Sequence, residues 1–124
     1  CVFNQALEKK VLGKIKRVSR QALEELTIEH RKNNKPQGSL ILLADYPDFG
    51  MLIGNEELKE IFRILGFDDT RFSSGYIISK PNNSPALFWH QDWWGWDHPL
   101  SYTVQIAQVF VMIYLQDTHP QNGC

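Results

Sequence analysis

The segment between Phe88 and His98 holds the side chains best suited to chemistry. It contains all four tryptophans of the chain, two of the four histidines and two aspartates. In an extended backbone, residues two apart point to the same side, so His90 and Asp92 would project an imidazole and a carboxylate into one space. A face of two histidines and one carboxylate suits Fe(II), with positions left open for a co-substrate and O2. Zinc accepts the same donors, so the spacing leaves both metals open.

The spacing of His90 and Asp92 is weak evidence by itself. A His-x-Asp pair occurs often by chance, and a histidine beside aromatic residues is more often a packed, hydrogen-bonded side chain than a metal ligand. The elements around the pair therefore matter to the interpretation.

Helices are predicted in the first half of the chain. Apolar residues spaced three and four apart from Phe3 to Leu26 predict one long amphipathic helix, which the cluster 33–38 ends. Asn55 is predicted to cap a second helix, with acidic residues in its first turn and Gly66 at its end. The apolar run 39–44 fits either a strand or the end of a short helix.

Strands are predicted after Gly66. Residues 76–79 have the pattern of a strand, residues 80–85 that of a loop, and residues 102–115 that of a long strand in a covered sheet, because the last segment is rich in β-branched residues.

Composition limits the classes of protein. With 124 residues, 43% hydrophobic and 22% charged, the chain is one globular domain at most. A net charge of -1 argues against nucleic acid as a partner. No apolar run approaches the ~20 residues of a membrane span and no signal peptide is visible, so a cytoplasmic location is the default expectation. The pattern gives no oligomeric state.

Charge is distributed unevenly along the chain. Residues 1–35 carry nine Lys/Arg and four Asp/Glu, whereas residues 36–124 carry four and ten. A solvated helix face is the preferred interpretation of this basic leading segment, and contact with an acidic partner or a phosphate-bearing substrate is the alternative.

The chain is expected to be a fragment. Its two cysteines are the terminal residues, which excludes a disulfide framework or a Cys-x-x-Cys metal pair. It does not begin with Met, and it ends in a turn-like Gln-Asn-Gly-Cys sequence.

Residues 66–124 closely resemble the phytanoyl-CoA dioxygenase family, and the preceding helices resemble it more loosely. The resemblance rests on Tyr-Ile-Ile-Ser-Lys-Pro at 76–81, His-Gln-Asp at 90–92, and Asp-Thr-His-Pro-Gln-Asn-Gly-Cys at 117–124. It implies an α+β fold, in which a mainly helical lead-in (1–66) precedes the first strands (67–124) of a truncated double-stranded β-helix, a jelly-roll-like barrel. The whole chain, 1–124, would belong to one such domain.

The resemblance also implies a cofactor set. His90 and Asp92 would be two ligands of Fe(II), with 2-oxoglutarate and O2 as co-substrates and no catalytic residue beyond the ligands. Tyr76 and Met112 would contact 2-oxoglutarate. The family's distal histidine and its arginine for 2-oxoglutarate lie beyond the Asn-Gly, so the site is expected to be incomplete in this chain. His98 and His119, the local alternatives for a third ligand, are predicted to be surface residues.

The function implied by the resemblance is hydroxylation of a small organic substrate, coupled to formation of succinate and CO2, with the fragment alone inactive. Trp93, Trp94 and Trp96 would line the mouth of an apolar substrate pocket or cover the barrel end. A non-catalytic aromatic-rich binding module and a zinc-dependent hydrolase are the alternatives. The substrate itself is not predicted.

Overall fold

The computed structural model describes residues 1–93 and 95–122 and divides the chain into two units, residues 1–86 and 87–124. Helices and one two-stranded sheet make up the regular structure of the described residues, which agrees with the α+β class. The predicted jelly-roll barrel is not formed by these residues. Trp94, predicted at a substrate pocket, and the final Gly123-Cys124 lie outside the described residues.

Helix α1 spans Lys9–Glu24 and supplies some of the core of the first unit. Its stripe of apolar residues buries Ile15 and Ala22, and the helix packs on a 3-10 turn, Pro47–Phe49, whose Phe49 is also buried. An ion pair of 2.6 Å between Lys14 and Asp48 joins the same two elements. Both of its side chains are substantially exposed, so apolar burial contributes more to this packing than the ion pair does.

The predicted single long helix is wrong at both ends. Helix α1 begins at Lys9 rather than Phe3, and a separate helix α2 follows at Ile28–Asn33. The break has a local cause, because Thr27 has an extended backbone and its hydroxyl accepts the His30 N–H at 3.0 Å, which starts a new helix.

The helix predicted after Asn55 is confirmed. Helix α3, Gly50–Ile53, precedes it, and helix α4 spans Glu56–Ile64. The Asn55 side chain accepts the Leu58 N–H at 2.9 Å, and Gly66 follows the helix with a positive φ of 84°.

The sheet pairs strand β1, Ile41–Leu42, with strand β2, Tyr76–Ile77, in antiparallel register. Ile41 faces Ile77 across the pair, and both are buried. The open prediction for residues 39–44 resolves into strand β1 followed by a 3-10 turn, Leu43–Asp45. The strand predicted at 76–79 is present but shorter.

Ser39, next to the sheet, links the segment of strand β1 to the segment of strand β2. The hydroxyl of Ser39 is fully buried, donates to the Ile77 carbonyl at 3.1 Å and accepts the Ser79 N–H at 2.8 Å. These two bonds extend the short backbone pairing beyond the strands themselves.

The second unit contains 3-10 turns at Pro99–Tyr102 and Pro120–Asn122. The long strand predicted at 102–115 is wrong, because the described residues of this segment form no strand. A strand exists only when a neighbouring backbone accepts and donates its hydrogen bonds, and a β-branched composition cannot supply that neighbour. Val104, Phe110 and Met112 are accordingly exposed.

Within residues 1–93 and 95–122, no helix combines the length and the apolar character that crossing a lipid bilayer demands.

Candidate metal site

His90 is oriented by a hydrogen bond to its own backbone neighbourhood. Its Nδ1 lies 2.9 Å from the carbonyl oxygen of Phe88. A carbonyl oxygen only accepts, so Nδ1 carries a hydrogen and donates it, which turns Nε2 to the opposite side of the ring. Metal-binding histidines are commonly oriented in this way, with the second ring nitrogen donating to a carbonyl. The Phe88 ring adds a tilted contact, with its centroid 5.2 Å from that of the imidazole.

Asp92 faces the other ring nitrogen of His90, Nε2. Its Oδ1 lies 3.3 Å from His90 Nε2, so the same-side arrangement predicted from the spacing of two is present. The two side chains are 30% and 57% exposed, which leaves the pair open to solvent on one side. In the neutral imidazole with its hydrogen on Nδ1, Nε2 and Oδ1 would each offer a lone pair to a cation placed between them.

The distance between these two donor atoms suits adjacent ligands of one ion. Neighbouring corners of an octahedron with bonds of ~2.1 Å are ~3 Å apart, close to the 3.3 Å between Nε2 and Oδ1. The described residues, 1–93 and 95–122, contain no group of three His, Cys, Asp or Glu side chains that could hold a metal. The pair by itself thus offers two donor atoms, fewer than a closed metal site uses.

The two histidines considered as local third ligands have other contacts. His98 caps the 3-10 turn that follows it, because its Nδ1 accepts the Leu100 N–H at 3.2 Å. His119 Nδ1 lies 3.0 Å from Gln121 Oε1. Both residues are exposed, as the sequence predicted.

Trp93 belongs to a small cluster directly after the pair. Its indole N–H donates to Ser101 Oγ at 2.7 Å, and the Ser101 hydroxyl donates to the Gly95 carbonyl. The His98 ring stands edge-on to Trp93, with 6.3 Å between ring centroids. Hydrogen bonds through Ser101 therefore join Trp93 to Gly95. Trp96 is half exposed.

The residues predicted to contact 2-oxoglutarate lie in different units. Tyr76 is on strand β2 of the first unit and is 47% exposed, whereas Met112 belongs to the second unit and is 73% exposed. Their predicted role stays a prediction.

Sequence reasoning missed the groups that orient the site. The Phe88 carbonyl could not be found from residue types, because every residue has a carbonyl group. Ser101 could have been suspected, since an indole N–H in a loop needs an acceptor and a serine follows within eight residues.

Comparison with known proteins identifies the family of the chain. The sequence matches the model of the phytanoyl-CoA dioxygenase family over residues 3–124, so the chain belongs to that family. The family comprises oxygenases that generally depend on Fe(II) and 2-oxoglutarate. Neither the curated proteins nor the solved structures gave a match.

Proposed function

We propose that this chain provides the His-x-Asp pair of an Fe(II)- and 2-oxoglutarate-dependent dioxygenase that hydroxylates a small organic substrate, with succinate and CO2 as the other products. The observation that carries the proposal is the convergence of His90 Nε2 and Asp92 Oδ1, 3.3 Å apart, with the Nδ1–H turned away to the Phe88 carbonyl. Family membership over residues 3–124 supports the choice of iron over zinc.

Each residue of the pair has a distinct task. His90 offers a neutral nitrogen whose direction is set by the bond to Phe88, so little reorientation is needed on binding a cation. Asp92 supplies the negative charge that offsets some of the charge of a divalent ion. When bound, iron would supply the activation of O2, while the protein orients the reactants.

A complete site is proposed to need ligands besides this pair. The described residues contain no three-ligand group, and a pair of donors leaves most positions of an octahedral ion open. A further histidine and an arginine for the distal carboxylate of 2-oxoglutarate would complete the site, because the guanidinium fork binds carboxylates in a bidentate manner. Tyr76 and Met112 are proposed as further contacts of 2-oxoglutarate.

The finer fold is also a proposal. Family membership supports a double-stranded β-helix to which residues 67–124 contribute, preceded by the mainly helical residues 1–66.

Trp93 and Trp96 are proposed to lie at the entrance for substrate, together with Trp94. They follow the metal pair directly in the chain, and their aromatic surface suits an apolar or ring-bearing molecule.

The test compares variants of the protein expressed from its complete reading frame. Conversion of 2-oxoglutarate to succinate is measured with Fe(II) and ascorbate for wild type, His90→Ala and Asp92→Ala. We expect both variants to lose nearly all activity while their circular dichroism spectra stay unchanged. His98→Asn and Asp97→Asn, which change the same residue types a few positions away, are the controls and should retain it.

Retained activity in folded His90→Ala or Asp92→Ala would overturn the assignment of the ligands. Metal analysis that finds zinc in the active protein would favour a hydrolase instead. The exposed aromatic side chains Phe88, Trp89 and Trp96 give a binding module some support, and ligand binding that chelators leave unchanged would favour that function.

A further inference from the structure

A cavity in the first unit has no residue of the metal pair in its lining. It has a volume of about 170 Å³ and opens between the end of helix α2 and the loop that follows strand β2. The volume is several times the ~30 Å³ that a water molecule occupies in the liquid. The lining residues are Arg31, Lys35, Gly38, Pro81, Asn82, Asn83 and Ser84.

The two walls of this cavity are held together by close contacts. Gly38 has a φ of 76° and packs so tightly that a Cβ there would lie 1.7 Å from the Ser79 carbonyl oxygen. The next residue, Ser39, bonds to the backbone of both Ile77 and Ser79. These contacts fix where the loop after β2 begins.

The loop itself is a hydrogen-bonded turn. Ser84 donates to the Pro81 carbonyl from its hydroxyl at 2.6 Å and from its backbone N–H at 3.2 Å. The cavity wall is thus set before any ligand binds, which lowers the entropy lost on binding.

The lining is positively charged. It contains two cationic side chains and no carboxylate. Neither Arg31 nor Lys35 forms an ion pair with any other residue in 1–93 or 95–122. One Arg31 N–H group donates to the Leu23 carbonyl at 2.8 Å, which holds the guanidinium while its other N–H groups remain available. Asn82 and Asn83 add carboxamide donors.

We propose that this cavity binds a phosphoryl group, either free phosphate or the phosphate of a monoester. Two cations match a dianion in charge, and a guanidinium, an ammonium and two carboxamides provide donors for its several oxygens. The open side of the cavity leaves room for an ester substituent in solvent. The proposed site would give a function to two cations of the basic leading segment, 1–35. It does not depend on the metal pair.

The experiment follows backbone amide shifts of residues 82–84 by NMR while inorganic phosphate or phenyl phosphate is titrated into the protein at constant ionic strength. The informative variant is Lys35→Gln. Its matched control is Lys32→Gln, which removes the same charge from α2, outside the cavity lining. We expect phosphate binding in wild type and Lys32→Gln, and an affinity about tenfold lower in Lys35→Gln, as for loss of one charge-assisted hydrogen bond.

Tighter binding of phenyl phosphate than of inorganic phosphate would identify a monoester as the ligand, and the reverse order would identify free phosphate. Equal affinities of the Lys35→Gln and Lys32→Gln variants for phosphate would overturn the proposal. It would also be overturned if the backbone amide shifts of residues 82–84 did not change during the titration.

Discussion

His90 donates its Nδ1–H to the carbonyl of Phe88, two residues earlier in the chain, at 2.9 Å. The bond links the ring to the backbone of its own segment, so the direction of Nε2 is set by local conformation. The bond thus fixes which side of the His90 ring faces Asp92.

Asp92→Asn is expected to lower the affinity for a divalent ion by at least ~10-fold, because a neutral amide replaces the only negative charge of the pair. Mn(II) is a suitable probe, and electron paramagnetic resonance of the free ion measures binding. Asp97→Asn is the control and should bind as wild type does. An unchanged affinity in Asp92→Asn would exclude this carboxylate as a ligand.

Gly38→Ala is expected to destabilise the fold by ~3 kcal/mol or more. The new Cβ would lie 1.7 Å from the Ser79 oxygen, and a φ of 76° disfavours any side chain. Gly13→Ala is the matched substitution inside helix α1, where a Cβ meets nothing within 4 Å. Gly13→Ala should stabilise the fold by ~1 kcal/mol, because alanine favours the interior of a helix more than glycine does. Urea unfolding measures the free energy of unfolding of both variants. Equal changes in Gly38→Ala and Gly13→Ala would contradict the close approach at Gly38.

Ser39→Ala is expected to cost ~2 kcal/mol, because the partly buried Ser79 N–H loses its acceptor and the Ile77 carbonyl loses a donor. Ser19→Ala should have the opposite sign. The Ser19 hydroxyl is buried in α1 without a hydrogen-bond partner among the described residues, so its removal should stabilise by ~1 kcal/mol. Thermal unfolding of the two variants tests the pair, and a destabilised Ser19→Ala would show that this hydroxyl has a partner.

Ionisation of the Tyr46 hydroxyl should lower the stability of the fold at alkaline pH. Burial raises the pKa of its hydroxyl above 10.0, and the hydrogen bond and negative charge of Glu25 raise it further. The folded chain therefore favours the neutral hydroxyl. This contribution is fully present below the unfolded pKa near 10 and is lost as the pH rises through the folded value.

The measurement is urea unfolding of Tyr46→Phe between about pH 9 and pH 11. The variant should lose less stability over this range than wild type does. Tyr102→Phe, which alters a well-exposed tyrosine, is the control. Parallel curves for wild type and Tyr46→Phe would refute the raised pKa of Tyr46 in the folded chain.

Local signals predicted the local structure well. The helix after Asn55 was predicted from a capping side chain, two acidic residues and a glycine, all within one segment, and each acts as expected. The stripe of helix α1 was found in the same way. The stripe does not predict where α1 ends, because Thr27 starts a new helix; a threonine before Ile28-Glu29 is a recognised start signal.

Structure that depends on distant residues was predicted less well. The segment 102–115 has the composition of a strand, but pairing is a property of two segments, and one sequence pattern does not supply the second. The His90 and Asp92 pair lies within three residues, so a period of two was sufficient to predict that their side chains converge. A third ligand would be distant in sequence and carries no such signal.

The bond between Ser39 and Ile77 spans 38 residues of sequence. Closing a loop of that length is an entropic barrier, whereas helices α1 and α4 need only contacts within a few residues and form on the microsecond scale. The junction that holds β1 beside β2 therefore belongs to the late steps of folding. The same junction holds the wall of the cavity that is proposed to bind phosphate. That cavity would therefore be among the last features to form as the chain folds. It would be among the first to be lost when the chain begins to unfold.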